Sequence, residues 1–192
     1  MKEHTKLVIK EWVESILIAV VLALVIRTFV VQAFKIPSGS MIPTFQVGDR
    51  IFVNKFIYGA KVPFLNMNLP AVRQPKRGDI VVFVAPDSPE KDFVKRLIAV
   101  GGEKVEIRDG RILVNGKLVD DPSSIRSVYY YNSSIYGKEG QVIEVPKDSY
   151  FVLGDNSASS RDSRFWGFVP KKNMLGKVIL IYWPLHRIKI IH

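Results

Sequence analysis

The chain has 192 residues, 24% charged and 47% hydrophobic, which predicts one packed domain of moderate size rather than disorder. It contains no cysteine, which excludes disulfides, thiol nucleophiles and cysteine-based metal sites. The net charge is +10, and with no run of five basic residues and no nucleic-acid-binding motif, this charge favours an anionic lipid surface over nucleic acid.

The first predicted element is an apolar segment, residues 15–34, which is about as long as a helix that crosses a bilayer. Ile16–Ile26 is uninterrupted apolar sequence, and Arg27 lies where its side chain can reach the nearer interface. We therefore expect a transmembrane anchor. Two alternatives remain open, a cleavable signal peptide that ends at "VQA" (residues 31–33) and a buried core helix.

The anchor divides the chain into three predicted parts at the cytoplasmic membrane. More lysines precede the segment than follow it closely, which places residues 1–14 in the cytoplasm. Residues 35–192 then form an extracytoplasmic, β-rich domain. The topology is single-pass.

Beyond Pro37 the helical periodicity ends, and short apolar runs alternate with turn residues. Many short strands without intervening helices predict a mainly β fold, either a β-sandwich or a partly open barrel. A polar, tyrosine-rich stretch, residues 120–140, is predicted to be an insertion or a long surface loop. The predicted strands lie in residues 50–56, 79–85, 93–100, 104–119, 141–145, 150–154 and 176–183. Within 104–119, tight turns at Asp109-Gly110 and Asn115-Gly116 separate successive strands.

Lysine is a more suitable general base here than histidine. The sequence has three histidines, His4, His186 and His192, and it lacks the G-x-S-x-G motif of serine hydrolases. A buried lysine with a lowered pKa can take the proton of a serine instead. In "FVKRLIAV" (residues 93–100), period-two alternation places Lys95 on an apolar face of a strand. The alternative is an edge-strand lysine that reaches solvent.

The candidate nucleophile lies in "IPSGSMIPT", residues 36–44. Flanking prolines stiffen the backbone, and Gly39 permits close approach of a substrate. The hydroxyl of Ser38 can point at a developing oxyanion beside the amide of Ser40. The alternative is that both serines are ordinary turn residues.

A third stretch, "GDNSASSRDSRFWG" (residues 154–167), is a polar loop between strands. Asp162 and Arg164 can form an ion pair that fixes this loop, and Ser160 can form a hydrogen bond with a nearby amine. The alternative is a solvated surface loop.

Four stretches in chain order carry a family resemblance: "IPSGSMIPT", "RGDIVVF" (Arg77–Phe83), "FVKR" (Phe93–Arg96) and "GDN…SRDSRFWGFVP" (Gly154–Pro170). Together they resemble the type I signal peptidases of bacteria, membrane-bound serine proteases with a Ser/Lys dyad. The resemblance covers roughly residues 10–183. The chain departs from the family's usual pattern at Ser157, where arginine is common, and at Phe45, where leucine is typical.

The resemblance implies a role for each motif residue. The implied catalytic residues are Ser40 as nucleophile, Lys95 as general base, Ser38 as an oxyanion donor and Ser160 as the hydroxyl that orients the lysine. The implied structural ion pair is Asp162 with Arg164. The implied substrate-binding residues, which line shallow pockets for small side chains, are Phe34, Ile36, Met41, Phe93 and Val94.

The implied substrates are signal peptides of exported pre-proteins, cleaved after an A-x-A-like pattern, and the second partner is the phospholipid membrane. The resemblance implies no cofactor, no metal and no nucleic acid. Apolar residues in the stretch 62–70 are a further candidate for lipid contact. Two other functions remain open: a soluble, self-cleaving repressor with the same dyad, and a catalytically inactive, membrane-anchored β-domain that binds lipid or a protein partner.

Overall fold

The computed structural model describes residues 2–25, 27, 30–59 and 70–191. They form a long N-terminal helix followed by two antiparallel sheets, so the predicted mainly β fold is confirmed. The α-helices are α1 (Lys2–Val25), α2 (Ser123–Arg126) and α3 (Ser163–Trp166). The strands are β1 (Val31–Lys35), β2 (Arg50–Asn54), β3 (Ile80–Val84), β4 (Asp92–Val100), β5 (Lys104–Arg108), β6 (Arg111–Val114), β7 (Lys117–Leu118), β8 (Ile143–Glu144), β9 (Ser149–Leu153), β10 (Val169–Pro170), β11 (Met174–Trp183) and β12 (Lys189–Ile190).

The prediction of one continuous transmembrane helix over residues 15–34 is wrong. α1 ends at Val25, and residues from Val31 onward form β1, which pairs antiparallel with β2. The β-branched and aromatic residues at this point suit a strand, and β2 supplies partners for their backbone groups. Among the residues that the structure describes, no helix is both long enough and apolar enough to cross a membrane. The β-rich domain thus starts at Val31 rather than at residue 35.

The alternative of a buried core helix is also wrong. The side chains from Val8 to Leu24 are exposed, and Leu17 retains 62% of its accessible surface. The signal-peptide alternative and the single-pass topology stay predictions. Of the stretch 62–70, proposed for lipid contact, residues 62–69 lie outside the described part of the chain.

The larger sheet has the strand order β1-β2-β11-β3-β4-β9-β10, with β12 paired to β11. Its outer strands, β1 and β10, are not paired with each other, so the sheet is open. The smaller sheet has the order β7-β6-β5-β8. Its inward-facing residues share one apolar core with Ile98 of β4 and with Phe151 and Leu153 of β9. This packing covers one face of β4 and β9 with the smaller sheet, and β4 carries Lys95.

The predicted insertion, residues 120–140, contains no strand, as expected, but it is not only a surface loop. Ile125 and Tyr130 are buried in the core beneath the smaller sheet, and the Tyr130 amide donates to the Gly110 carbonyl at 2.9 Å. Tyr129 and Tyr131 on either side of Tyr130 are exposed. The stretch is therefore packed against the domain through alternate side chains.

Candidate active site

Ser40 lies in a one-turn 3₁₀ helix, Gly39–Met41, in the segment that leaves β1. The amide of Ile36 donates to the carbonyl of Asp49 at 2.8 Å, which joins the two ends of this segment. Ile36, Met41 and Phe45 are buried in the core formed with β2, β3 and β11. Apolar residues on both sides of Ser40 thus fix the turn, while Ser40 itself stays partly exposed.

Lys95 lies within β4, which pairs with β3 along this stretch and with β9 from Arg96 onward. The residue is only 4% exposed, so the alternative of a lysine that reaches solvent is wrong. The Lys95 Nζ atom lies 2.6 Å from the Ser40 Oγ atom, a hydrogen-bond distance. The ring of Phe93, two residues earlier on the same strand, lies 5.7 Å from Nζ.

Burial lowers the pKa of the Lys95 amine from its ordinary value of 10.5 to about 8. The amine loses water that would solvate its ammonium form, and this disfavours the charge. The carboxylates of Asp162 and Asp155 act in the opposite direction, and the Arg164 guanidinium acts with the burial. A neutral amine beside the Ser40 hydroxyl can accept its proton.

Each of these two carboxylates is paired with an arginine. The Arg96 guanidinium donates to both oxygens of Asp155, at 2.8 and 2.7 Å. The Arg164 guanidinium donates to both oxygens of Asp162, each at 2.8 Å. All four residues are buried. Asp162 and Arg164, the ion pair expected from the sequence, are thus in bidentate contact.

Arg164 also fixes the loop that precedes it. Its Nη1 and Nη2 atoms donate to Ser157 Oγ and to the Ser157 carbonyl, each at 2.8 Å, and Nη2 donates to the Ser160 carbonyl at 3.3 Å. A further bond, at 2.7 Å, reaches the carbonyl of Tyr131. The alternative of a solvated surface loop is wrong, since Ser157, Ser160 and Asp162 are all buried.

Ser160 occupies a confined position near Ser40. A Cβ atom placed on Gly154 would lie 2.2 Å from Ser160 Oγ and 2.5 Å from the Ser40 carbonyl oxygen, so only glycine fits between them. The Ser160 Oγ atom is buried and has no hydrogen-bond partner within the described part of the chain. The expected bond between Ser160 and Lys95 is therefore not formed here.

A cleft of about 440 Å³ opens in front of Ser40 and Lys95, with Ser38 and all five expected substrate-binding residues in its lining. Ile36 and Met41 are nearly fully buried and form the floor, whereas Phe34, Phe93 and Val94 are partly exposed. Ser38 is exposed and extended, and its side chain makes no capping bond. No group of three or more His, Asp or Glu side chains placed to hold a metal ion occurs among the residues described.

Asn156 and several residues that line the cleft are candidates that the sequence patterns did not single out. The Asn156 amide donates to the Ser40 carbonyl at 3.0 Å, and its side-chain amide donates to the Gly39 carbonyl at 3.0 Å. Asn156 belongs to the "GDN" motif, which could have pointed to it. The other lining residues that the sequence did not single out are Lys35, Pro37, Val82, Lys91, Asp92, Ser159 and Arg161.

Comparison with known proteins agrees with the motifs. The family model described as "Signal peptidase, peptidase S26" matches residues 9–183. Signal peptidase I of Leptolyngbya laminosa is 39% identical over 185 residues, which cover 93% of this chain and 81% of that protein. Probable signal peptidase I-2 of Synechocystis sp. is 37% identical over 188 residues, or 94% of this chain and 77% of that protein.

A solved structure of a signal peptidase I from Enterococcus faecalis is 33% identical, with a TM-score of 0.45, and the match covers 55% of this chain and 97% of that one. The family model alone spans most of the present sequence, and the curated relatives are matched over more than two thirds of their length. The resemblance predicted from the four motifs is thereby confirmed. The chain belongs to the signal peptidase family, peptidase S26, and is a serine peptidase.

Proposed function

We propose that the chain is an endopeptidase that removes signal peptides from exported pre-proteins with Ser40 and Lys95 as its catalytic dyad. The observation that carries the proposal is the 2.6 Å contact between the Ser40 hydroxyl and the buried amine of Lys95. The lowered pKa of that amine supports it, because a base must be neutral before it can accept a proton. The names of the curated relatives support the substrate class.

In the proposed reaction, neutral Lys95 accepts the Ser40 proton as Oγ attacks the scissile carbonyl carbon. The resulting ammonium then gives a proton to the departing amine as the peptide bond breaks. A water molecule, deprotonated by the same amine, attacks the acyl-enzyme ester and releases Ser40 with its proton restored. Each step leaves Lys95 in the form that the next step requires.

The developing oxyanion needs donors that are in place before the reaction. We assign this role to the Ser38 hydroxyl and the Ser40 amide, because both lie in the short turn that lines the cleft. We assign Ser160 to the orientation of Lys95 during turnover. Its buried hydroxyl without a partner is available for that bond.

The substrate binds as an extended strand. β3 covers one side of β4 over the whole of Asp92–Arg96, but β9 pairs with β4 only from Arg96 onward, which leaves the backbone of residues 92–95 free on that side. β1 is an edge strand of the same sheet, and both stretches line the cleft. A peptide between them can pair with either edge. The buried floor of Ile36 and Met41 leaves shallow pockets that exclude large side chains.

We further propose that the chain works at the surface of the cytoplasmic membrane, with lipid contact through the apolar residues of α1. Those side chains are exposed, among them Ile16, Leu17 and Ile18. A run of exposed apolar surface on a helix of a basic protein suits an anionic bilayer.

Replacement of either dyad residue is expected to abolish cleavage, because the nucleophile or its base is then missing. Ser40→Ala and Lys95→Met should each lower the cleavage rate of a pre-protein in detergent by at least about a thousandfold. Exposed Lys104→Met is the matched control and should retain the wild-type rate. Sequencing of the new N-terminus locates the cut. Equal cleavage by the wild type and both dyad variants would remove the dyad from the mechanism.

The rate of cleavage is expected to rise with pH, because only neutral Lys95 is active. With a pKa of about 8, kcat/KM should fall about tenfold for each unit below pH 8 and level off above it. The measurement is a pH profile of the cleavage of a peptide substrate that has no titrating side chain. A flat profile between about pH 6 and about pH 9 would contradict the role of Lys95 as the base.

Loss of one oxyanion donor is expected to slow turnover without unfolding the protein. Ser38→Ala should lower kcat about a hundredfold, because one such donor lowers the barrier by about 3 kcal/mol. Ser38 is exposed, so the thermal midpoint should stay the same. A near-normal kcat in this variant would assign the oxyanion site elsewhere.

Lipid contact by α1 is expected to depend on its apolar residues. In flotation with anionic phospholipid vesicles, the wild type should rise with the vesicles. A variant that combines Ile16→Asn, Leu17→Asn and Ile18→Asn should remain in the aqueous fraction, because it loses apolar area that lipid would bury. Val47→Asn, which alters an exposed apolar residue outside α1, is the control and should float. If the triple variant floats as well as the control, lipid contact by this helix is ruled out.

A further inference from the structure

Ser157 accepts two hydrogen bonds through its side chain. The backbone amide of Tyr131 donates to Ser157 Oγ at 2.9 Å, and Arg164 Nη1 donates to the same atom at 2.8 Å. Ser157 is buried, so water is a poor substitute for this acceptor. The hydroxyl oxygen therefore joins two distant stretches of the chain, the insertion and the loop that leads to α3.

Tyr131, Ser157 and Arg164 form a closed ring of hydrogen bonds. Arg164 Nη1 also donates to the Tyr131 carbonyl at 2.7 Å, so both backbone groups of Tyr131 are held. On its other side, this part of the insertion is fixed to the smaller sheet, where the Asn132 side chain donates to the Ile107 carbonyl at 3.0 Å. The smaller sheet thus provides a rigid support for Ser157.

Ser157 directly follows the residue that holds the nucleophile. Asn156 donates its amide to the Ser40 carbonyl and its side-chain NH₂ to the Gly39 carbonyl, both at 3.0 Å. The amide of Ser159 in turn donates to the Asn156 carbonyl at 3.0 Å. A continuous path of short contacts therefore runs from Tyr131 through Ser157 and Asn156 to the backbone of Ser40.

We propose that Ser157 is a positioning residue for the dyad, which it serves by holding Asn156 against the turn of Ser40. The inference rests on the proposed function of Ser40 and Lys95. It extends that function to the insertion, which this path links to Ser40 only through Ser157 and Asn156. Placement of the Ser40 hydroxyl against Lys95 is a requirement for proton transfer. A shift of about 1 Å in such a group can cost up to a hundredfold in rate.

The expected kinetic signature separates positioning from substrate binding. The substrate walls that we propose lie on β1 and β4, and neither strand takes part in the path through Ser157. Ser157→Ala should therefore lower kcat about tenfold and leave KM within about twofold of the wild-type value. Ser127→Ala is the matched control, because Ser127 is an exposed serine of the same insertion and should leave both constants unchanged.

A double-mutant cycle tests the path itself. Asn156→Ala should lower kcat, and the combination with Ser157→Ala should add little to it, because both substitutions release the same turn. Effects on ln kcat that simply add, or a normal kcat in Ser157→Ala, would overturn the inference. If Ser157→Ala does not fold, Ser157→Cys, which is nearly isosteric and a weak acceptor, replaces it in the same cycle.

Hydrogen exchange gives a readout that needs no substrate. Ser157→Ala should speed exchange in peptides that cover residues 38–42 and 154–160, while Ser127→Ala should not. Unchanged exchange in the variant would contradict the inference even if the wild type proved inactive. Faster exchange in Ser157→Ala, together with a wild type that cleaves no pre-protein, would instead contradict the proposed function alone.

Discussion

Under the proposed function, the active site depends on keeping one amine, that of Lys95, uncharged among carboxylates. Burial lowers the pKa of Lys95, but Asp162 and Asp155 both act to raise it. An unpaired buried carboxylate would favour the ammonium form strongly, because charges interact over long distances where water is excluded. The bidentate partners Arg164 and Arg96 neutralise these carboxylates. These two ion pairs, which stabilise the fold, thus also help to keep the amine of Lys95 uncharged.

The same requirement explains how the strands are arranged around Lys95. Arg96 is the next residue on β4, and alternation sends its side chain to the opposite face, where it meets Asp155 and the Gly78 carbonyl. Asp155 and Asp162 belong to the loop that leaves β9, the neighbour of β4. Lys95 is only 4% exposed although β9 leaves this part of β4 unpaired, so side-chain packing rather than a second neighbouring strand shields most of the amine from water.

Local patterns in the sequence predicted those features of the structure that depend on neighbouring residues alone. Alternation located the strands from residue 50 onward except the two-residue strands β10 and β12, and it put Lys95 on an apolar face. The charged residues of the loop 154–167 suggested the ion pair of Asp162 and Arg164. The misassigned segment, residues 31–34, is apolar in a way that suits a helix or a strand equally, and only its pairing with β2 decides between them. Likewise, the burial of Tyr130 depends on contacts with a distant sheet. Ser157 looked like a local departure because its partners, Tyr131 and Arg164, are joined to it only by the fold.

The assignment of residues 31–34 to a strand rather than to a helix alters how Ser40 is connected to the proposed substrate site. If this stretch were the end of a membrane helix, Ser40 would follow a lipid-embedded segment and take its position from the bilayer. As β1, the stretch is an edge of the sheet, and its register with β2 runs as far as Lys35↔Arg50, just before Ile36 enters the core. The position of Ser40 is then set by the sheet that also presents the free edge of β4. Under the proposed function, the strand that pairs with a substrate leads directly into the turn that attacks it, so binding in register places the scissile carbonyl at the hydroxyl.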